Sequence, residues 1–242
     1  MLGASRPGEA AMPESTTHRR AAKTQLDATV IGIELTLISI IQGLALAVLA
    51  GAAVQPLLQW QWQSWPYVMT GIAVILIFWS RSLIHTLSFI GWPLEFGHTF
   101  GYFISTMFEA AALSQVGDPL HWFALNTLYA LCVWGLYTWD LRVVKRQEAD
   151  FVSPGERALF ADIVRDQKLN IRWLMPLTVA FQYLSWWLVR QYPQAMLGHG
   201  WHLLLIGLTF VFSLNYLYGS VQLLQRRREW IMERHAQERA ED

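Results

Sequence analysis

The third of several long apolar runs in this sequence carries polar side chains that are able to do chemistry. Its polar residues are Glu95, His98, Tyr102, Ser105 and Glu109. At about 100° per residue they fall within roughly 80° of one another on a helix, which predicts a single polar stripe. Carboxylates and imidazoles in such a stripe can pass protons or coordinate a cation.

Two further charges lie inside apolar runs, Glu34 in the first run and Arg81 in the second. A rise of about 1.5 Å per residue places both roughly 9 to 10 Å from the ends of their runs on the same side of the membrane. Since a charged side chain is costly in hydrocarbon, each one needs a partner or water. We therefore expect Glu34 and Arg81 to form an ion pair.

A hydrated, titratable path across a membrane is the main functional hypothesis that these residues support. The candidate path residues, from the inner to the outer side, are Glu34, Arg81, His98, Gln42, Tyr102, Gln182 and Glu109. Such a path would belong to a channel or transporter for protons or a small cation. Polar groups in a membrane also hold helices together, at about 1 kcal/mol each. That structural interpretation suits Ser, Thr, Asn and Gln better than it suits charged residues.

A second hypothesis is a membrane redox protein that holds haem b through two histidines. His85 and His98 would form an inner site because they lie at comparable depth. His121 and His202 would form an outer site for the same reason. A third hypothesis is a non-catalytic subunit of a larger membrane assembly, with surfaces that dock partners or further copies of this chain.

Other chemistries lack the residues that they need. Cys132 is the only cysteine, so neither an internal disulfide nor a cysteine pair for zinc is predicted. Lys23, Lys145 and Lys168 all lie outside the apolar runs, so no lysine is placed to form a retinal Schiff base. No P-loop, GxSxG or HExxH sequence occurs, and we predict no catalytic residue and no metal site. A net charge of zero does not suggest nucleic-acid binding.

The composition indicates that these residues belong to an integral membrane protein. Of the 242 residues, 54% are hydrophobic and 15% are charged, whereas about a quarter of a soluble domain is charged. A span requires about 20 predominantly apolar residues. Six segments qualify, at 28–53, 66–89, 94–116, 121–141, 172–192 and 201–224. The predicted fold class is all-α, a polytopic bundle of six transmembrane helices within residues 27–226.

The distribution of Lys and Arg predicts how this bundle is oriented. Basic residues cluster before the first span, in the connection 142–171 and after the last span, whereas Arg190 alone lies on the other face. Because basic residues stay in the cytoplasm, we expect both termini there and the protein in the plasma membrane. Contact with both bilayer interfaces is predicted by tryptophans near the span ends, at Trp60, Trp62, Trp65, Trp92, Trp122, Trp173, Trp186, Trp187 and Trp201.

The segments outside the spans have characters of their own. Residues 1–26 are predicted to be disordered, and residues 227–242 to form a charged cytoplasmic tail. In the connection 142–171, the sequence Ser153-Pro154-Gly155-Glu156 has the capping-box pattern that starts helices. Apolar residues then recur at helical spacing, at Leu159, Phe160, Ile163 and Val164. We predict a short amphipathic helix between the fourth and fifth spans, lying on the membrane or against a partner.

Overall fold

The structure is a computed structural model that describes residues 14–88 and 96–241, with side chains at 29–86, 97, 99–149 and 151–228. These residues form seven α-helices and no strand, which confirms the predicted all-α class. The helices are α1 Glu14–Leu58, α2 Trp65–Ser88, α3 Phe96–Leu113, α4 Pro119–Arg146, α5 Pro154–Leu169, α6 Met175–Gln191 and α7 Trp201–Glu241. Short 3-10 turns lie at Trp62–Ser64 and Glu148–Asp150, and π-helical turns at Asn170–Leu174 and Gln194–Gly198.

Three stretches of described helix are long and apolar enough to cross a membrane. They are Thr29–Leu58, Trp62–Thr86 and Trp201–Arg228. Large apolar side chains on their outer faces, such as Ile40 and Leu44, are exposed. Such faces are compatible with lipid contact, because hydrocarbon removes the cost that water would impose on them. These findings suit an integral membrane protein.

The first and last helices extend beyond the predicted spans. α1 begins at Glu14 and α7 continues to Glu241, so residues 14–26, predicted to be disordered, are helical, as is most of the tail 227–242. Ala, Arg, Gln and Glu occur in both extensions, and these residues favour helix even without apolar contacts. Residues 1–13 of the predicted disordered tail lie outside the described residues.

α1 packs antiparallel to α2, and α4 packs antiparallel to both α3 and α6. α2 and α7 run parallel, with Tyr67 near His202 at their starts and Arg81 near Tyr216 farther along, and α1 and α3 are parallel as well. An apolar cluster that includes Leu49, Leu113 and Val189 joins α1, α3 and α6. Trp122 in α4 also lies in this cluster, at 1% exposure, with its ring edge-to-face against Tyr67 at 5.2 Å between centroids. The prediction that Trp122 marks a bilayer interface is therefore wrong, because its position on α4 turns it toward α2.

Most of the other tryptophans predicted at bilayer interfaces do lie on the surface. Trp60, Trp62, Trp173 and Trp201 are all exposed. Three of them flank the α1–α2 and α6–α7 connections, whereas Trp173 lies at the opposite end, before α6. Trp92 lies outside the described residues.

Close helix approach depends on three glycines. A Cβ atom added to Gly71 of α2 would lie 2.8 Å from Leu113 and 3.0 Å from Leu49, both of which are fully buried. Gly97 and Gly101, the GxxxG pair of α3, would meet Trp139 and Leu136 of α4 at 2.8 Å. Both glycines thus let side chains of α4 lie directly on the α3 backbone, as small residues do in membrane helix pairs.

The predicted amphipathic helix is α5, and its start has the predicted capping box. The Ser153 hydroxyl accepts from the backbone N–H of Glu156, and the Glu156 carboxylate accepts from the backbone N–H of Ser153. Its apolar face packs within the chain: Leu159 and Ile163 are buried against Val143 and Val144 of α4. The expectation that this face meets a membrane or a partner is wrong, because the adjacent end of α4 covers it.

The amphipathic helix is also not separate from the next span. α5 leads through the π-helical turn Asn170–Leu174 directly into α6, without an intervening loop. A π-turn of this kind shifts the helical register by one residue, and such turns are frequent at functional sites. The result is that α5 continues the bundle and brings polar residues of the connection onto its inside.

Candidate functional site

A cavity of about 370 Å³ lies between the helices and is lined by residues from α2 to α7. Its walls are mostly apolar and aromatic. One end holds charged and titratable side chains, which are Arg81, His85, Asp140, Asp166 and Arg227. This is the end of the bundle at which α4 ends and α5 begins, and we call it the α4–α5 end. Arg81, Tyr102 and Gln182 of the predicted path line this cavity.

An ion-pair network closes the α4–α5 end. The Arg81 guanidinium donates to Asp166 of α5, with Nη2 2.5 Å from Oδ2. Arg227 of α7 donates through Nε to Asp162 at 2.8 Å and also lies 3.7 Å from Asp166. All four side chains are largely buried. The two arginines and two aspartates balance in charge, so the network links α2, α5 and α7 without a net charge.

Aromatic and amide groups extend this network toward the cavity. The Arg81 guanidinium lies over the rings of Tyr137 and Tyr216, at 5.8 and 5.7 Å from their centroids. The Tyr216 hydroxyl donates to Asn170 at 3.1 Å, and the Asn170 amide donates to Asp166 at 3.4 Å. Asn170 begins the π-helical turn, so that turn places the amide between the tyrosine and the aspartate.

The predicted ion pair between Glu34 and Arg81 is wrong, because the carboxylate that pairs with Arg81 is that of Asp166. The position of Arg81 along its helix correctly indicated that the charge needs a partner. The sequence analysis, however, placed the helix that carries Asp166 outside the bundle. Glu34 instead lines a second, much smaller cavity together with His85 and Tyr102. Both of these residues also line the central cavity, so they separate the two spaces.

His85 and Tyr102 have their own polar contacts. His85 Nε2 lies 3.7 Å from an Asp140 oxygen, and its Nδ1 lies 3.5 Å from the Gln167 amide. The Tyr102 hydroxyl shares a hydrogen bond of 2.6 Å with the Ser82 hydroxyl. These contacts join α2 with α3, α4 and α5. They lie at the boundary between the small cavity and the central one, which His85 and Tyr102 both line.

Gln42 of α1 and Glu109 of α3, both residues of the predicted path, form a buried hydrogen bond with each other. The Gln42 amide donates to Glu109 at 3.2 Å, and the two residues are 4% and 1% exposed. Their remaining side-chain oxygens have no hydrogen-bond partner among the described residues. The sequence placed Gln42 at mid-depth and Glu109 farther out, whereas the structure brings them together between α1 and α3, and neither is among the residues that line the central cavity.

The histidines proposed as outer haem ligands lie in different surroundings. His121 is exposed, and its Nδ1 lies 2.7 Å from Asp118, which caps the start of α4. His202 is buried, with Nδ1 2.7 Å from the Met196 carbonyl and its ring stacked on Tyr67. The inner pair cannot be compared in this way, because the His98 side chain lies outside the described residues, as does Glu95. Within the described part of the chain, no three His, Cys, Asp or Glu side chains are grouped to hold a metal.

Partial burial raises the pKa of Asp118, but hydrogen bonds from the ring and backbone of His121 outweigh this effect. The net result is a pKa below the ordinary value for aspartate. The charged carboxylate is also favoured where it lies, at the positive end of the α4 dipole.

Sequence reasoning missed Asp162, Asp166 and Arg227 because they lie outside the apolar runs. One signal was present: Asp162 and Asp166 are four residues apart on α5. Asp166 lies only about 20° around the helix from Leu159, the start of the apolar stripe. A carboxylate beside a buried stripe has to face either a cation or water, and here it faces two arginines.

Comparison of this chain with protein-family models, with curated proteins and with solved structures gives no match.

Proposed function

We propose that this chain is a membrane transport protein, a channel or transporter that moves protons or a small cation through its central cavity. The observation that carries the proposal is the cavity of about 370 Å³ that the helices from α2 to α7 line. Gln182 lies along its wall, and its α4–α5 end holds Arg81, His85, Asp140 and Asp166. Buried ionisable groups are costly in a membrane protein, and they are typical of ion and proton pathways.

The proposal places the protein in the plasma membrane, with both termini in the cytoplasm. Its six spans are formed by α1, α2, α3, α4, α6 and α7. The proposal is supported by the alternating direction of successive long helices along the chain, as in the antiparallel pairs α1–α2, α3–α4 and α4–α6, and by exposed tryptophans at both ends of the bundle. Lys and Arg cluster on the side of the α4–α5 connection, where basic residues favour a cytoplasmic location.

A route for protons then has three parts. At the α4–α5 end, Glu34 and the contact of His85 with Asp140 lie on either side of Tyr102. Gln182 lines the middle of the route. The hydrogen-bonded pair of Gln42 and Glu109 provides a buried carboxylate on the α1–α3 side. Carboxylates, imidazoles and hydroxyl groups are the side chains suited to proton relay.

The experiment is a flux assay with the full chain reconstituted in liposomes. A potassium gradient with valinomycin sets the membrane potential, and an enclosed pH dye reports proton entry while the sodium concentration is varied. We expect flux above that of empty liposomes, and a severalfold decrease in Asp140→Asn. Asp118→Asn removes an exposed carboxylate outside the cavity and should retain full flux.

Flux equal to that of empty liposomes, from protein shown to be folded and inserted, would overturn the proposal. Equal loss in Asp140→Asn and Asp118→Asn would also contradict it, because the loss would then not depend on the cavity.

A further inference from the structure

We propose that the central cavity binds a small organic cation, a quaternary ammonium or protonated amine, between its aromatic walls. This inference rests on the proposed function, because it names the class of substrate for the same cavity. It is argued from the aromatic rings, from the acceptor groups that line the cavity and from the pairing of its arginines.

Aromatic rings from five helices line the cavity, which are Phe78 of α2, Tyr102 of α3, Tyr129 of α4, Phe181 of α6 and Phe212 of α7. The Phe78 ring lies 5.2 Å from Tyr102 at an interplanar angle of 65°, and 6.2 Å from Tyr129 at 49°. Rings that meet at such angles present faces and edges to a common space. Box-like groups of aromatic rings are a recurrent way to bind ammonium cations.

One protein cation already uses this type of contact in the same cavity. Arg81 lies over Tyr137 and Tyr216 at less than 6 Å from each centroid. Among the described residues, no Lys or Arg lies over the rings of Phe78 or Tyr129 in this way. The cavity wall at Phe78 and Tyr129 therefore offers π faces that the protein's own described cations do not cover.

The polar groups along the walls favour a ligand that donates hydrogen bonds or carries positive charge. Gln167 Oε1 and Gln182 Oε1 are buried and have no hydrogen-bond partner among the described residues. A glutamine amide can turn to offer either of its ends, but the Asp140 carboxylate on the same wall can only accept when ionised. A carboxylate and two amides beside aromatic faces complement an ammonium group.

Two other ligand classes fit less well. Ca²⁺ and Mg²⁺ take about six or more oxygen ligands, and the described residues contain no group of even three carboxylates, histidines or cysteines placed to hold any metal ion. An anion would need an unpaired cation, yet Arg81 is paired with Asp166, and Arg227 with Asp162. A cation with apolar surface matches both the acceptors and the largely apolar wall.

The cavity volume agrees with this class. Small-molecule sites occupy about 300 to 1,000 Å³, and this cavity of about 370 Å³ lies at the lower end of that range. The cavity therefore suits a compact organic cation.

The test uses choline and its uncharged carbon analogue, 3,3-dimethylbutan-1-ol, which has nearly the same shape. Binding of each to the full chain in mild detergent is measured by isothermal titration calorimetry at constant ionic strength. We expect choline to bind about tenfold more tightly, because cation–π and carboxylate contacts act on the charge alone. Equal affinity for the two molecules, or no saturable binding of choline, would overturn the inference. This comparison uses the unmodified chain, so its outcome does not depend on whether a variant folds.

Two variants locate the site, each with a matched control. Asp140→Asn and Phe78→Leu should each weaken choline binding about tenfold and leave the uncharged analogue unaffected. Asp118→Asn and Phe100→Leu make the same changes at exposed positions outside the cavity and should bind choline normally. Equal weakening in a variant and its control would contradict the assignment to this cavity.

The outcome for the transport proposal is read separately from the liposome flux. Proton or cation flux without choline binding overturns the inference and leaves transport supported. Choline binding without flux of any cation supports the site and overturns transport.

Discussion

Arg81 of α2 and Asp166 of α5 form an ion pair across the α4–α5 end of the cavity, with 2.5 Å between Nη2 and Oδ2. Their side chains are 11% and 19% exposed, so the pair is largely removed from solvent. Arg227 lies 3.7 Å from the same carboxylate, which makes Asp166 the centre of the network. The position of α5 in the bundle thus depends on an electrostatic contact as well as on its apolar face.

The first prediction concerns this pair. Asp166→Asn leaves the Arg81 charge buried without a carboxylate, and we expect the free energy of unfolding to fall by about 3 kcal/mol. The double variant Arg81→Met with Asp166→Leu should recover most of that loss, because it removes both charges from the buried site. Unfolding in mixed detergent micelles measures both effects. A loss in the double variant equal to the sum of the losses in Arg81→Met alone and Asp166→Leu alone would show that the residues are not coupled.

The second prediction concerns helix approach at Gly71. Gly71→Ala places a methyl group against the buried side chains of Leu49 and Leu113, and we expect a loss of about 1 to 3 kcal/mol through overpacking. Gly43→Ala is the control, because a Cβ there meets nothing within 4 Å. Alanine favours helix over glycine by about 1 kcal/mol, so the control should be stabilised. Thermal unfolding in detergent compares the two, and equal shifts would contradict the packing at Gly71.

The third prediction separates structure from proton transfer at Glu109. Glu109→Gln keeps the hydrogen bond from Gln42 and adds a donor for the Gln42 oxygen that has no partner among the described residues. We expect stability to be kept or raised by about 1 kcal/mol, whereas proton flux in liposomes should fall because an amide cannot carry a proton. Glu109→Leu is the comparison, and it should be less stable since it leaves the Gln42 amide unpaired. Unchanged proton flux in Glu109→Gln would remove Glu109 from the route.

The fourth prediction concerns the cap of α4. Asp118 accepts from the backbone N–H of His121, so Asp118→Ala should cost about 1 kcal/mol, while Asp118→Asn should retain most of the cap. The pKa of Asp118 is lowered in the folded protein, so its stabilising charge is present above the unfolded value of about 3.9. That contribution is lost as the pH falls through the lower folded pKa. A stability difference from Asp118→Asn that grows with acidification would contradict this sign.

Several features could be predicted because they depend on residues close together in the chain. Apolar length and period identify helices, so the all-α class and the approximate position of each helix agree with the sequence. The capping box at Ser153 and Glu156 involves residues three apart, and the structure has it as predicted. The close approach at Gly97 and Gly101 was likewise readable from their spacing, although their neighbour was not.

The sequence by itself thus determined the helices and showed that charges lie within apolar runs. Only the tertiary structure decided which groups meet. Depth along a helix made Glu34 a reasonable partner for Arg81, but the actual partner, Asp166, lies 85 positions away in a helix that the sequence placed outside the bundle. A helical wheel fixes the direction of a side chain from its own axis, whereas the neighbour in that direction is fixed by long-range packing. The same reason explains why Trp122 was assigned to the membrane interface and lies instead against Tyr67.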